Sequence, residues 1–499
     1  RRAARAARGP AAARALGEND VLGSVDAALS FQAPGNYADL DDVLALDNLW
    51  DVLPPRSSPL QQRGETMKFV SNRDRVAIQA LVHGSPESIG AACPGAAIHD
   101  TLDDTCIPIS PWAYRSGPRR TIYFEPQKVQ ACIVTCGGLC PGLNDVILSL
   151  VRTLESYGVP SGNVVGIRYG FQGFYKTENP PLVLTSRGLR GIHHDGGTVL
   201  GTSRGGADML KIVDSIQSRG LNMVFVVGGN GGNAGAAAIQ AECKRRGYTC
   251  AVVGIPKSID NDILLIDKTF GFDTAVEHAV KAIEAASTEC SSAYRGVGLV
   301  KLMGRQSGFI ATQASLASGC VDLCLIPEIP SFTVHGSGGI LEYVEKKLEE
   351  QGNCTVVVAE GALQEALGGH SMGTDPSGNP ILADVGTFLR DEVKAYFKQP
   401  DKRSVDMKYI DPSYMIRSVE TNTSDKIYCQ HLAQGAVHAA FAGFTGLTVG
   451  VLNNHTAYLP IDLVVCAPKV VDINGKNWQR VLSVTGQPNL NGQKAVEAG

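Results

Sequence analysis

The chain of 499 residues has no long apolar segment and little excess charge of either sign. No run of about 18 residues is apolar throughout, so the sequence contains no candidate for a membrane-spanning helix. Charged residues make up 19% of the chain and the net charge is −4, which gives no basis for binding nucleic acid or an anionic membrane surface. The composition predicts a globular protein whose length suggests two or three domains, with neither nucleic acid nor a membrane as a partner.

The sequence also lacks paired cysteine spacings. Its 13 cysteines include Cys132, Cys136 and Cys140, which recur every four residues but pass from a strand pattern into a glycine-rich loop. They do not share a helical face, and no zinc pattern is present. Scattered cysteines favour reduced thiols in an intracellular compartment, and the cytoplasm is the expected location.

Acidic residues are absent from the first sixteen residues, RRAARAARGPAAARAL. Such a segment is typical of transit peptides for plastids or mitochondria, although it lacks their usual serines. A disordered basic tail is the alternative interpretation. Residues 1–125 have weak periodicity, and we interpret them as a partly disordered N-terminal extension with a possible targeting segment.

From residue 129 onward, apolar runs alternate with glycine-rich loops and helical patterns. We predict helices over 145–158, 236–247 and 271–286. The predicted strands are VQACIVTC (129–136), NMVFVVGG (222–229), CAVVGIP (250–256), GVGLVKL (296–302), CVDLCLIPE (320–328) and CTVVVAEGA (354–362). This alternation indicates a doubly wound α/β region over 126–465, followed by a C-terminal tail over 466–499.

Four loops are candidates for the ligand-binding edge of the sheet, because doubly wound sheets bind their ligands at the carboxyl ends of their strands. The loop in GIPKSIDNDI (254–263) carries a lysine, a serine and two aspartates. Those groups suit phosphoryl transfer, in which a carboxylate takes a proton from a hydroxyl and cations bind phosphate oxygens. Three glycine-rich loops, at 137–144, 196–208 and 226–236, offer backbone N–H groups to phosphate. Each alone is better explained as a tight strand-to-helix turn, but the three together, beside the loop in GIPKSIDNDI, favour a phosphate-binding edge.

These motifs and several others occur in a fixed order along the chain. They are GGLCPGLNDVI (137–147), GGTVLGTSRGG (196–206), GGNGG (228–232), GIPKSIDNDI (254–263), FGFDTAVEHA (270–279), VKLMGRQSGFIA (300–311), LIPE (325–328), AEGA (359–362), DPSYMIR (411–417) and HLAQGAVHAAFAGFTGLTVG (431–450). In this order they resemble the 6-phosphofructokinase family, particularly its plant-type ATP-dependent branch. The resemblance covers roughly residues 125–465 and not the first hundred or so.

The resemblance implies two similar doubly wound α/β lobes with an active-site cleft between them. It also implies a glycolytic, allosterically regulated kinase that binds ATP on one lobe, fructose 6-phosphate on the other and Mg²⁺ between them. Family members are usually oligomers, so a homo-oligomer or a hetero-oligomer with a paralogue is expected.

The resemblance also assigns site residues. Asp260 would be the base that deprotonates the sugar 1-hydroxyl, with Asp262 and Lys257 beside the phosphates. Further expected substrate-binding residues are Ser258, Ile259, Met303, Gly304, Arg305, Glu360, Tyr414 and Arg417. Expected nucleotide-binding residues are Gly138, Arg204, Gly205, Gly229, Asn230, Gly231 and Gly232.

One departure from the family pattern concerns the metal. The family motif is GGDG followed by Ser or Thr, whereas this chain has Asn230 and Gly232. A neutral amide oxygen binds a hard cation less well than a carboxylate. One hypothesis is therefore an active kinase with a weakened magnesium site at Asn230. The other is a catalytically weak regulatory or sugar-phosphate-binding subunit. The retained Asp260 favours the kinase.

The phosphoryl donor is a separate question. In the family, a glycine at the position of Gly231 accompanies ATP, while a second aspartate there accompanies pyrophosphate. Lys257 is shared with pyrophosphate users but also occurs in the plant-type ATP branch. ATP is the preferred donor, and a pyrophosphate-dependent enzyme is the lesser alternative.

Overall fold

A computed structural model describes residues 42–63, 68–79, 97–100, 105–330, 332–368, 373 and 381–488. The possible targeting segment and the rest of the predicted N-terminal extension before residue 42 lie outside the described residues, as does the end of the predicted tail. All elements below belong to the compact unit Val43–Gly499. No helix among the described residues is both long and apolar enough to cross a membrane.

The strands of the described residues are β1 (Arg56–Ser57), β2 (Arg75–Ala77), β3 (Ala97–Asp100), β4 (Thr105–Pro108), β5 (Trp112–Arg115), β6 (Thr121–Ile122), β7 (Ala131–Thr135), β8 (Val164–Ile167), β9 (Leu182–Val183), β10 (Met223–Gly228), β11 (Ala251–Pro256), β12 (Gly296–Leu302), β13 (Leu323–Leu325), β14 (Asn353–Ala359), β15 (Asp406–Ile410), β16 (Leu447–Leu452) and β17 (His455–Pro460).

The α-helices of the described residues are α1 (Leu143–Tyr157), α2 (Met209–Ser218), α3 (Asn230–Arg245), α4 (Phe272–Ser291), α5 (Phe309–Ser318), α6 (Ile340–Gln351), α7 (Val385–Tyr396), α8 (Ser413–Arg417), α9 (Thr423–Phe441), α10 (Ile461–Val465) and α11 (Lys476–Thr485).

The first lobe is a nine-stranded sheet in the order β2-β5-β17-β16-β11-β10-β7-β8-β9. Its central strands β8, β7, β10, β11 and β16 are parallel, and antiparallel strands flank them. Strands β7, β10 and β11 are buried along their whole length. One face packs against α1 and α9, and the other against α2, α3 and α10. Helices on both faces explain why these strands are continuously apolar rather than alternating.

The second lobe is a four-stranded parallel sheet in the order β13-β14-β12-β15. Helices α4 to α7 and α11 pack around it in a separate hydrophobic core. The predicted α/β class with two sheets is therefore confirmed. Among the described residues the lobes differ in size, because the first sheet has five parallel strands flanked by antiparallel ones, whereas the second has four parallel strands.

Parts of the chain beyond 126–465 are integrated into these lobes. From the predicted extension, β5 pairs with β17 and β2 pairs with β5. From the predicted tail, α11 buries Trp478 and Val481 in the second core. The division at 125 and 465 remains a prediction, while the packed unit contains described residues from all three segments.

Helix α3 begins at Asn230, six residues before the predicted start at 236. The glycines of NGGNAG favoured a loop, but packing overrides that preference because they let the first helical turn approach β10 and its neighbours. A Cβ at Gly228 would lie 2.8 Å from Cα of Gly232, and one at Gly235 would lie 2.6 Å from the Phe171 ring. The phosphate loop predicted here is thus a helix N-terminus. The predicted strand 320–328 is likewise shorter, with only Leu323–Leu325 extended.

Candidate active site

A cavity of about 710 Å³ lies where the carboxyl ends of the strands of both lobes meet. Every predicted site residue except Gly304 lines it. Gly304 lies directly behind the wall: its φ is +133°, and its carbonyl accepts a hydrogen bond from the Gly361 N–H at 3.0 Å. The predicted residues therefore come from distant parts of the chain and converge on one cavity.

The segment 257–270, named here the Asp260 loop, follows β11 and is held by its own hydrogen bonds. The Lys257 N–H donates to the Gly228 carbonyl at 2.9 Å. The Thr269 hydroxyl donates to the Ser258 carbonyl at 2.5 Å, and the Thr269 N–H donates to Oδ1 of Asn261 at 3.0 Å. Asn261 has φ +58°, a conformation that asparagine tolerates better than most residues. These bonds fix the backbone that carries Asp260.

Asp260 lines the cavity at the carboxyl end of β11. Its Oδ1 is buried and has no hydrogen-bond partner among the described residues. Burial raises the pKa of Asp260 to about 8, with Asp262 and Glu360 adding to the shift and Arg305 and Lys257 opposing it. A carboxylate with a free oxygen and a pKa near neutrality is suited to accept a proton from a bound hydroxyl.

Asp262 connects the Asp260 loop to the start of α3. The Ser258 hydroxyl donates to its Oδ1. The amide nitrogen of Asn230 lies 3.5 Å from its Oδ2, while Oδ1 of Asn230 is buried without a partner among the described residues. An orphaned oxygen beside a carboxylate is a place where a cation could be bound.

We tested these residues against the magnesium ion that the family resemblance implies. Among the described residues, no group of three or more His, Cys, Asp or Glu side chains could hold a metal ion. Asp262 supplies one carboxylate and Asn230 one amide oxygen. Magnesium is usually bound by one or two carboxylates, water and substrate phosphates. The residues therefore fit magnesium that arrives with a nucleotide, rather than an ion held by the protein alone.

Backbone N–H groups and two cations form the anion-binding side of the cavity. The N-terminus of α3 contributes Gly231 and Gly232, which place no side chain over the first-turn N–H groups. A Cβ at Gly137 would lie 3.5 Å from Lys257 Nζ, and one at Gly138 would lie 3.8 Å from Arg204 Nη2. A helix N-terminus beside an ammonium and a guanidinium is an environment for phosphate.

The opposite wall comes from the second lobe. Arg305 Nε lies 4.0 Å from Glu360 Oε1, and burial raises the pKa of Glu360 while Arg305 opposes the shift. The Arg417 guanidinium lies 4.7 Å from the ring centroid of Tyr414, and its Nε is buried without a partner among the described residues. These two arginines suit a phosphate, and Glu360 suits sugar hydroxyls.

Ile259 lies where the two lobes meet. It is partly buried and packs against the hydrophobic cores of both. Its neighbours Ser258 and Asp260 are thereby fixed relative to the second lobe. Met303, which follows β12, is buried and lines the cavity from the other side.

The sequence reasoning missed an ion pair in the wall. Lys301 Nζ lies 2.7 Å from Asp411 Oδ2 and 3.3 Å from Asp384 Oδ1. Asp411 Oδ1 also accepts hydrogen bonds from the Ser413 N–H and hydroxyl, at 3.1 and 2.6 Å, at the start of α8. The pair therefore orients the helix that carries Tyr414 and Arg417. Other cavity-lining residues that were not predicted are Cys136, Gly137, Leu139, Phe171, Ser203, Gly206, Ala207 and Gln306.

Comparison with known proteins gives a consistent result. The profile of the family described as Phosphofructokinase matches residues 130–440. ATP-dependent 6-phosphofructokinase 5, chloroplastic, from Arabidopsis thaliana is 52% identical over 422 residues, which are 85% of this chain and 76% of that protein. ATP-dependent 6-phosphofructokinase from Borreliella burgdorferi is 44% identical over 382 residues, which are 75% of this chain and 85% of that protein.

Solved structures share the fold at low sequence identity. A pyrophosphate-dependent phosphofructokinase from Marinobacter aquaeolei has a TM-score of 0.59 and 20% identity, covering 72% of this chain and 91% of that one. Pichia pastoris phosphofructokinase in the T-state has a TM-score of 0.57 and 24% identity, and the match covers 68% of this chain and 36% of that one. At these identities the likeness concerns the fold alone.

Proposed function

Because the chain belongs to the phosphofructokinase family, we propose that it transfers the γ-phosphoryl group of ATP to the 1-hydroxyl of fructose 6-phosphate, a step of glycolysis. The observation that carries the proposal is the position of Asp260. Its unpartnered oxygen lies in a cavity with a helix N-terminus and two cations on one side and two arginines on the other. Relatives that are 44–52% identical bear the name ATP-dependent 6-phosphofructokinase.

In the proposed reaction, Asp260 takes the proton of the 1-hydroxyl as that oxygen forms a bond to the γ-phosphorus of ATP. The bond from the γ-phosphorus to the bridging oxygen breaks, and ADP leaves with the bond's electron pair. Lys257 and the first N–H groups of α3 stabilise negative charge on the phosphoryl oxygens, while the Ser258 hydroxyl donates to Asp262. The products are fructose 1,6-bisphosphate, ADP and a proton.

The second lobe would hold the sugar phosphate. Arg417 and Arg305 bind the 6-phosphate, Tyr414 packs against Arg417, and Glu360 accepts hydrogen bonds from sugar hydroxyls. Met303 and Ile259 supply apolar contact. The family resemblance implies these roles, and the charge and position of each side chain in the cavity wall support them.

Magnesium is the proposed cofactor, with Asp262 and Asn230 as its protein contacts. When bound, it would neutralise negative charge that develops on the phosphates during transfer. Asp262 is pre-oriented by the Ser258 hydroxyl and the Asn230 amide. Asn230 supports a second candidate function, a catalytically weak regulatory subunit, since it supplies no charge to the cation.

ATP is the proposed donor, because Gly231 leaves the space in front of α3 open: a Cβ there would meet nothing within 4 Å. That space suits a nucleotide, whereas pyrophosphate is smaller. A pyrophosphate-dependent enzyme is the remaining alternative.

A coupled assay of the purified protein tests these proposals. It would combine fructose 6-phosphate and Mg²⁺ with either ATP or pyrophosphate and measure fructose 1,6-bisphosphate. We expect turnover with ATP. Turnover with pyrophosphate but not with ATP would show that pyrophosphate is the donor. Binding of fructose 6-phosphate without turnover would support the regulatory subunit.

We further propose a homo-oligomer or a hetero-oligomer with a paralogue, testable by light scattering with and without the paralogue.

We also propose a plastid location, which two Arabidopsis relatives named chloroplastic support. Imaging of the full-length protein with a C-terminal fluorescent tag tests the location against the cytoplasm and mitochondrion.

A further inference from the structure

Residues 468–471 lie beyond the family-matched region 130–440, between α10 and α11, and contact the outer side of the Asp260 loop. The Lys469 N–H donates to the Asp262 carbonyl at 2.9 Å. Its ammonium donates to the carbonyls of Ile266 and Asp267 at 2.8 and 2.9 Å. One residue therefore contacts the loop at three backbone oxygens without lining the cavity.

The same segment contacts the second lobe. The Val471 N–H donates to Glu328 Oε1 at 2.7 Å, and both Glu328 oxygens accept from the Gly308 N–H, at 2.9 and 3.1 Å. Beside Gly308, the Ser307 hydroxyl donates to the Asp260 carbonyl at 3.1 Å. Residues 468–471 thus connect the Asp260 loop of the first lobe to the arginine-bearing loop of the second.

The Asp260 loop needs external support because its backbone is strained. Asn261 has φ +58° and Leu265 has φ +66°. Leucine has no side-chain hydrogen bond to offset this conformation, which residues other than glycine and asparagine rarely adopt. The Lys469 ammonium donates to the two carbonyls that directly follow Leu265.

We propose that Lys469 is a positioning residue, which acts through the backbone of 262–267 to fix Asp262 and Asp260 relative to the second lobe. This inference rests on the proposed kinase function. Lys469 touches neither substrate in that scheme, so its removal affects alignment in the transition state more than binding in the ground state.

The test compares Lys469→Met, Lys469→Arg and Lys402→Met with the parent. Methionine keeps the length and apolar contact of the lysine stem but removes the hydrogen bonds that the ammonium donates to Ile266 and Asp267. Arginine keeps N–H donors at the end of the side chain. Lys402 is the matched control, since it is a partly buried lysine that contacts Glu345 and Tyr396 in the second lobe and does not line the cavity. For each protein we would measure kcat, KM for fructose 6-phosphate, melting temperature and amide exchange across 257–270.

We expect Lys469→Met to lower kcat by roughly tenfold to a hundredfold, as small misalignments do, with KM for fructose 6-phosphate changed less than about threefold. Exchange should become faster within 257–270 and stay unchanged in β7 and β12. Lys469→Arg should recover most of kcat, and Lys402→Met should match the parent in kcat and loop exchange.

Two results would overturn the inference. One is a Lys469→Met protein with the parent's kcat and loop exchange. The other is faster exchange throughout the protein with no recovery in Lys469→Arg, which would make the role one of general stability. An inactive parent would refute the proposed function instead, and loop exchange alone would then decide the inference: faster exchange confined to 257–270 supports it, and unchanged exchange refutes it.

Discussion

The amide nitrogen of Asn230 lies 3.5 Å from a carboxylate oxygen of Asp262, and the amide oxygen of Asn230 is buried without a partner among the described residues. The two side chains come from the start of α3 and from the Asp260 loop. They are close enough to share one cation, yet together they carry a single negative charge. This relationship makes the substitution of the family aspartate by Asn230 directly testable.

Asn230→Asp should raise the apparent affinity for Mg²⁺ and, where metal occupancy limits turnover, raise kcat with ATP by up to roughly 10². It should also lower the melting temperature in metal-free buffer, because two carboxylates then face each other, and increase the stabilisation that added Mg²⁺ produces. Magnesium titrations of activity and of melting temperature measure both effects.

Gly232→Ser is the matched control for that substitution. A Cβ at Gly232 would lie 3.6 Å from Cβ of Cys136, an ordinary contact, so serine fits without adding charge. Its effect on Mg²⁺ affinity and on kcat should be smaller than that of Asn230→Asp. The double variant should show the largest increase in both. A parent as responsive to Mg²⁺ as Asn230→Asp would mean that the amide suffices and would remove the main support for a regulatory subunit.

Asp260→Asn should abolish turnover while leaving the affinity for fructose 6-phosphate within a few-fold, because a base acts in the transition state. In the parent, Asp260 must be ionised to accept a proton. With its pKa at about 8, kcat/KM should rise with pH and level off above about pH 8. A variant that keeps most of the parent's rate would show that another group is the base.

The same variant should stabilise the folded protein at neutral pH. The folded-state pKa of Asp260 lies above the usual 3.8, so its ionisation opposes folding increasingly as pH rises from about 4 to about 8. Asparagine cannot ionise. Because this side chain is only partly buried, solvent reduces the effect. The free energy of unfolding of the variant should exceed that of the parent by about 1–2 kcal/mol at pH 8 and by nothing near pH 4. Urea unfolding at both pH values measures it, and equal gains at both would contradict the assigned cause.

Arg417→Ala should raise KM for fructose 6-phosphate at least tenfold with little change in KM for ATP, since it removes a phosphate ligand from one substrate only. Arg417→Lys should recover part of the affinity because it keeps the charge but not the two-pronged geometry. Steady-state kinetics with each substrate varied in turn gives both constants. Equal increases in the two KM values would instead assign Arg417 a role in folding.

Asp411→Asn should raise KM for fructose 6-phosphate by a few-fold and less than Arg417→Ala does. It weakens the contact with Lys301 that orients α8, but leaves Arg417 in place. Asp406→Asn is the control, because Asp406 is exposed and pairs with Lys408 at the start of β15. An Asp411→Asn protein with the parent's KM would show that α8 is held by other contacts.

Sequence patterns were sufficient for the features that depend on local order. The continuous apolar runs predicted β7, β10 and β11, and the glycine and charge motifs after them predicted which loops meet at the cavity. Three features depended on contacts between distant residues and were not predictable in this way. The Lys301–Asp411 pair joins β12 to the end of β15, Lys469 contacts the Asp260 loop from the far end of the chain, and α3 starts at Asn230 because its glycines allow close packing.

The pairing of β11 with β16 has a consequence for synthesis on the ribosome. Strand β11 ends at Pro256 and β16 starts at Leu447, and the whole sheet of the second lobe lies between them. A nascent chain that has released β11 therefore carries an open, apolar strand edge until β16 emerges. Exposed strand edges promote aggregation, so chaperone demand should be greatest in this interval of translation. The second lobe in turn waits for α11 and its Trp478, so neither lobe finishes folding before almost the entire described chain has been made.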